Sequence, residues 1–210
     1  MKTYKINYIF KNLSIKNRYP KTELIYSNHF TFLVSVILSA QSTDVAVNKA
    51  TKKLFRIAKN PEQFINLGEK KLKQYIKSIG LFNSKAKNII KLSKILKEQY
   101  NSKVPSRFEE LINLPGVGNK TASVFQNVIL NEPRIAVDTH VFRVSNRIGL
   151  VDENTPDKTQ LALEKTVPKN WKMSAHHLLI FHGRYICKSQ KPLCKDCYIK
   201  SFCEYKNKNL

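Results

Sequence analysis

Apolar residues recur at three- and four-residue intervals along almost the whole chain, and no stretch alternates with the period of two that a half-buried strand needs. Ile6, Ile9, Phe10 and Leu13 line one face of a first helix, which Pro20 closes. From Phe30 to Gln41 the pattern is apolar nearly all round, as for a central, buried helix. Thr43 or Asp44 caps the next helix, which carries Val45, Val47, Leu54 and Phe55 and stops at Asn60-Pro61. Shorter helices occupy Glu62–Leu67 and Glu69–Ile79. A longer one runs from Ser84 to about Tyr100 with Ile89, Ile90, Leu92, Ile95 and Leu96 on its apolar side. Pro105-Ser106 opens Arg107–Asn113, and the chain turns sharply at Leu114-Pro115-Gly116-Val117-Gly118 before helical periodicity resumes over Asn119–Leu130. Pro133 breaks that helix and Asp138 stands where another starts. Pro156 and Pro168 punctuate the next stretch, and Trp171–Ile186 forms the last long helix. The expectation is an all-α protein of roughly ten helices.

Composition narrows the partners. Hydrophobic residues are 42% and charged residues 25% of the 210-residue chain, ordinary for a globular protein, but 37 Lys and Arg against 15 Asp and Glu leave a net charge of +22. A field of that sign attracts polyanions, and nucleic acid is the favoured partner. A coding bias towards lysine accounts for part of the excess, since Asn and Ile are abundant too. The longest apolar run, Phe32 to Ala40, is too short to cross about 30 Å of hydrocarbon, so no membrane association is expected. Lys5, Lys11 and Lys16 interrupt the start of the chain in a way no secretory leader does, and a cytoplasmic, nucleoid-associated location is expected.

Gly116 and Gly118 permit backbone conformations and close approaches that side chains forbid. A helix start directly after them presents free N–H groups, a ready phosphate site. A tight glycine-containing turn between two packed helices is the plain alternative. The longer string, Leu-Pro-Gly-Val-Gly before Lys120-Thr121-Ala122, is much narrower than a generic turn and fits a helix–hairpin–helix (about residues 107–130) that grips one DNA strand by its backbone. Lys120 falls in the first turn of the second helix, where the positive end of the helix dipole favours a neutral amine. A neutral lysine amine attacks aldehydic carbons to form Schiff bases, and a sugar that has lost its base offers such a carbon. Asp138, in Ile135-Ala136-Val137-Asp138-Thr139-His140, is by itself a good helix cap. Beside a lysine in a basic cleft, its carboxylate also accepts a proton or stabilises a developing sugar cation.

All four cysteines, Cys187, Cys194, Cys197 and Cys203, fall in one C-x6-C-x2-C-x5-C segment. In a reducing compartment such a cluster signals a metal site. Zinc suits four thiolates, and so does a [4Fe–4S] cluster. The spacing departs from paired CxxC knuckles and tilts towards iron–sulfur. Arg184, Lys188, Lys191 and Lys195 surround it, so a metal-fixed loop also contributes phosphate contacts. His176, His177 and His182 read as packing or surface residues of the last helix.

Taken together, Leu38-Ser39-Ala40-Gln41-Ser42-Thr43-Asp44, Ile79-Gly80-Leu81-Phe82-Asn83-Ser84-Lys85-Ala86, the hairpin with Lys120, Val137-Asp138-Thr139-His140 and the cysteine tail resemble the endonuclease III family of helix–hairpin–helix DNA glycosylases, essentially end to end. The resemblance implies two helical lobes. One is a six-helix bundle over about residues 22–132; the other joins 1–21 to 133–210 and holds a [4Fe–4S] cluster in the loop 187–203. It implies a monomeric enzyme that flips oxidised or damaged pyrimidines out of double-stranded DNA. Lys120 is implied to attack C1′ with help from Asp138, and the strand is cut by β-elimination, at abasic sites too. Gln41 and Leu81 match positions that fill the gap left by the flipped nucleotide, and Gly116, Gly118 and Lys191 fall among the DNA contacts. Asn119 stands where the family often carries a basic residue, and Ser42 replaces a common alanine. Adenine-mismatch relatives usually lack the lysine that this chain keeps.

Overall fold

The three-to-four spacing is realised as helix throughout. The computed structural model describes residues 1–15 and 21–210, so Pro20 lies outside the described residues. Among the described residues there are ten α-helices, a short 3₁₀ turn and no strand, and the all-α expectation is borne out. No helix is long and apolar enough to cross a membrane. The chain divides into two compact units, Glu23–Leu130, and Met1–Thr22 with Asn131–Leu210.

In the continuous unit, α2 (His29–Ser39) is buried from Phe30 to Leu38. Its apolar circumference is explained by its neighbours, for α3 (Asp44–Ile57), α5 (Phe82–Gln99) and α7 (Asn119–Leu130) all pack on it. Asn28 and Thr31 close a reciprocal capping box at its start. Thr43 is the N-cap of α3, accepting from the Ala46 amide at 3.2 Å. That helix buries Val47, Ala50, Thr51 and Leu54, whereas Val45 is 78% exposed. Val45 was expected with the apolar positions, yet it lies half a helical turn away from Val47 and Leu54 and so faces solvent. The two short helices expected over residues 62–79 are α4 (Pro61–Ile76), interrupted at Gly68, whose φ of 75° and ψ of 161° no helix accommodates. Helix α5 begins at Phe82, two residues before the expected Ser84. The short α6 (Phe108–Ile112) leads into the glycine turn and α7.

In the discontinuous unit, α1 (Thr3–Ile15) buries the expected Ile6, Ile9, Phe10 and Leu13 against α10 (Lys169–Tyr185). Phe10 stacks on Trp171 with centroids 5.9 Å apart, and the Trp171 indole donates to Asn7 Oδ1 at 2.9 Å. Helices α8 (Thr139–Ile148) and α9 (Pro156–Thr166) complete this core. His176, His177 and His182 are buried in it, and His176 Nδ1 lies 2.7 Å from the Ala136 carbonyl.

Candidate functional site

Within the continuous unit, both residues matched to gap filling stand exposed in left-handed backbone: Gln41 at φ 54° and Leu81 at φ 58°, the latter 58% exposed. A side chain with a Cβ costs about 1–2 kcal/mol in that region. Leaving a leucine in water there adds to the cost, and such strain persists where the surroundings impose it and concentrates at functional positions. Leu81 caps α5 without a side-chain hydrogen bond, its carbonyl accepting from the Lys85 amide at 3.1 Å.

The hairpin is anchored by apolar residues and open at its tip. Leu111, Leu114 and Val117 are buried, and the Val117 amide closes the turn onto the Leu114 carbonyl at 3.0 Å. Gly116, at φ 82°, is seated against α5 and α2, so a Cβ there would come 3.1 Å from Asn88 Cβ and 3.5 Å from Ile37 Cγ2. Gly118 has open space where its Cβ would be, and its carbonyl accepts from the Ala122 amide at 3.0 Å. The two glycines therefore differ: one is required by the fold, the other leaves room for a ligand. Lys120 lies in the first turn of α7, with its side chain exposed to solvent rather than walled into the core.

In the discontinuous unit, Asp138 is the N-cap of α8. Its Oδ1 accepts from the amides of His140 at 2.9 Å and Val141 at 2.8 Å, which fixes a half-buried carboxylate at a positive helix end. The His140 imidazole is held below its ordinary pKa of 6.5, first by burial and then by Arg143 and Arg184, while Asp138 and the Gly183 carbonyl oppose the shift. Arg143 Nη2 lies 3.3 Å from His140 Nδ1. Arg143 donates to the carbonyls of Gly183 at 3.0 Å and Cys187 at 3.2 Å. One helical turn on, Arg147 donates to the carbonyls of Lys188 at 2.7 Å and Ser189 at 2.9 Å and lies 4.7 Å above the Tyr205 ring. These two arginines tie α8 to the start of the cysteine loop, and both were missed from sequence. Their four-residue spacing on one face of the helix that Asp138 opens is the signal that was available.

None of the four cysteines is joined in a disulfide; Cys197 is buried and the others are half-buried. Cys197 and Cys203 are raised above the ordinary thiol range, chiefly by burial and further by the charge of the neighbouring cysteines. Four thiols that repel one another as thiolates need a cation to hold them deprotonated. No group of three or more His, Cys, Asp or Glu side chains among the described residues forms a single-ion site. His182 Nε2 lies 3.8 Å from Cys197 Sγ, and burial holds this imidazole at about 4. Lys191 is exposed on the same loop, in left-handed backbone at φ 47°.

The HhH-GPD superfamily of base excision DNA repair proteins matches residues 34–169. The endonuclease III of Rickettsia conorii (strain ATCC VR-613 / Malish 7) is 57% identical over 200 residues, which are 95% of each chain. That of Escherichia coli (strain K12) is 49% identical over 200 residues, again 95% of each chain. Among solved structures, a trapped endonuclease III–DNA covalent intermediate superposes with a TM-score of 0.92 at 41% identity, covering 97% of this chain and 96% of that one. A non-covalent endonuclease III–DNA complex superposes with a TM-score of 0.92 at 40% identity over the same shares of the two chains. A match over most of the length, at this identity and on this fold, leaves one assignment: the chain belongs to the endonuclease III family of the HhH-GPD superfamily of base excision DNA repair proteins.

Proposed function

We propose that the protein is a DNA glycosylase and abasic-site lyase that removes oxidised or damaged pyrimidines from double-stranded DNA through a covalent lysine intermediate. The observation that carries this is Lys120, an exposed amine in the first turn of the helix after the glycine hairpin. The hairpin amides and Gly118 hold a phosphate, and the same helix start supplies the nucleophile. Lys120 Nζ attacks C1′ of the flipped nucleotide and the base leaves with the bonding electrons. Asp138 supports the positive charge that develops on the sugar and takes part in proton transfer. The added amine gives up a proton and O4′ takes one as the C1′–O4′ bond opens, leaving a Schiff base at C1′. The Schiff base makes a C2′ hydrogen acidic, and its loss as a proton expels the 3′ phosphate, breaking the strand on the 3′ side of the lesion. Water then hydrolyses the iminium and frees the lysine.

Gln41 and Leu81 occupy the space vacated by the flipped nucleotide, and Lys191 adds a phosphate contact. In this reading residues 22–132 are the bundle domain that carries the hairpin. Residues 1–21 and 133–210 are a domain whose four cysteines hold a [4Fe–4S] cluster. Four thiolates in a C-x6-C-x2-C-x5-C segment, a spacing unlike paired CxxC knuckles, tilt the reading towards an iron–sulfur group over zinc. Cys187, Cys194, Cys197 and Cys203 would hold the cluster and so fasten the loop that bears Lys191. The enzyme acts as a monomer in the cytoplasm, on the nucleoid.

Borohydride reduction of a reaction with an abasic or thymine-glycol duplex should leave the protein covalently attached to DNA, and Lys120→Ala should abolish the adduct. Base release without an adduct would make the protein a monofunctional glycosylase, and undiminished trapping in Lys120→Ala would remove the assigned nucleophile. Analysis of the purified protein should find iron and acid-labile sulfide in about equal amounts; stoichiometric zinc without iron would remove the cluster.

A further inference from the structure

The end of α2 leaves a run of carbonyls without intrahelical partners, and the donors that reach them identify an unexpected residue. The Ile37 carbonyl accepts from the Ala40 amide at 3.4 Å and the Ser39 carbonyl from the Ser42 amide at 3.0 Å. The carbonyls between and after them, those of Leu38 and Ala40, both accept from Nζ of Lys85, at 2.8 and 2.5 Å. Lys85 is only 5% exposed, and its ammonium group meets carbonyl oxygens. A lysine almost never goes into a protein interior without a reason, because desolvating its charge is expensive. The negative end of a helix dipole is one of the few settings that compensate it.

Gln41 leaves α2 directly after the carbonyl that Lys85 holds. Leu81 sits one turn before Lys85 on α5, and the Lys85 amide donates to its carbonyl. Gly80 lies so close to the first of these turns that a Cβ would come 3.3 Å from the Gln41 carbonyl oxygen. The hairpin reaches the same place, with Gly116 against Asn88 of α5 and Ile37 of α2. Two separate left-handed turns thus converge on a single buried side chain.

We propose that Lys85 is a positioning residue for base extrusion, its side chain locking the turns of Gln41 and Leu81 into one rigid wedge. This rests on the reading that these two residues fill the gap in the duplex. A wedge must resist the stack it opens, and a preformed one spends no binding energy on being ordered. The device acts on extrusion and not on the chemistry at C1′.

The experiment compares duplex DNA, which requires the wedge, with a single-stranded abasic oligonucleotide, which requires none. Lys85→Met keeps the hydrocarbon stem and removes the donor. Gly80→Ala keeps Lys85 and sets a Cβ 3.3 Å from the Gln41 carbonyl oxygen, a contact tight enough to press on that turn. For each variant we measure cleavage of a thymine-glycol duplex under single-turnover conditions, fluorescence of a 2-aminopurine placed beside the lesion, and borohydride trapping on the single-stranded oligonucleotide. In Lys85→Met the ratio of the duplex rate to the single-strand rate should fall about 100-fold, the scale of a 1 Å misplacement, with the fluorescence rise slowed in parallel. Gly80→Ala should lower the same ratio by a smaller factor. An unchanged ratio in Lys85→Met, or rates that fall together on both substrates, overturns the proposal. If Lys85→Met does not fold, Gly80→Ala decides, and a wild-type ratio there overturns it. A wild-type protein that fails to trap the single-stranded oligonucleotide removes the lysine chemistry instead, which separates the two failures.

Discussion

Gly116→Ala and Gly118→Ala are the same chemical change two residues apart, and they should do opposite things. At Gly116 the φ of 82° must be kept, because the flanking Leu114 and Val117 are pinned in the core. Holding an alanine there costs about 1–2 kcal/mol. Its Cβ meets Asn88 Cβ at 3.1 Å and Ile37 Cγ2 at 3.5 Å, and pushing packed neighbours aside adds about 1 kcal/mol. The sum, about 2–3 kcal/mol, lowers the melting temperature of a protein this size by roughly 5–10 °C. At Gly118 φ is unremarkable and a Cβ meets nothing within 4 Å. Alanine is a poorer N-cap by about 1 kcal/mol, and the stiffer unfolded chain returns about 0.4–1 kcal/mol, so stability should scarcely move. In the proposed reading, a phosphate approaches the helix start through this open space. A methyl there should remove one charge-assisted hydrogen bond worth about 1.5–3 kcal/mol, roughly a ten- to hundredfold loss in affinity. Thermal unfolding and titration of a duplex carrying a non-cleavable abasic analogue measure both quantities. The assignment of the two glycines is refuted if Gly116→Ala melts with the wild type, or if Gly118→Ala binds as tightly as the wild type.

Asp138→Asn preserves the acceptor for the His140 and Val141 amides, so unfolding should be unchanged while base excision slows by about 10²–10⁴-fold under single-turnover conditions. Asp138→Ala should show the same kinetic loss and in addition cost about 1 kcal/mol in denaturant unfolding, the usual worth of a cap. Near-wild-type excision by the asparagine variant would reduce Asp138 to its capping role. His140, held below 6.5 mainly by burial, binds fewer protons folded than unfolded between its native value and 6.5. Its contribution to stability is therefore complete above about pH 6.5 and is lost as the pH falls below it. Denaturant unfolding between pH 7.5 and 5 should give His140→Phe a shallower fall than the wild type, and identical slopes would contradict this.

What the sequence shows about this protein depends on whether a residue's role is carried by its own neighbours in the chain. The faces of α1 and α2 were legible because burial imposes a period, and Ile6, Ile9, Phe10 and Leu13 have no other use for their spacing. The hairpin was legible for a related reason: Leu, Pro and two glycines within a few positions prescribe a backbone, whatever lies around it. Val45 was misplaced because an apolar residue in the first turn of a helix satisfies the pattern before the direction of the face is established. Arg143 and Arg147 were within reach, since two arginines one turn apart beyond a capping aspartate share a face, but what they hold is a loop forty residues away.

Lys85 stands inside one of the strings that carry the resemblance, but nothing in that string shows what it does. It is one of many lysines in a strongly basic chain, and its partners are carbonyl oxygens, which every residue possesses. Pattern recognition reports what side chains do for the backbone near them, whereas Lys85 serves a backbone 45 to 47 residues away. The chemistry proposed for this chain sits in residues that the motifs themselves display, Lys120 and Asp138. The rigidity that brings a damaged nucleotide to such chemistry depends on how one helix end is finished by another helix's side chain. A test of function that changed only the named residues would leave that dependence unseen, which is why the duplex and single-strand rates of Lys85→Met and Gly80→Ala must be measured together.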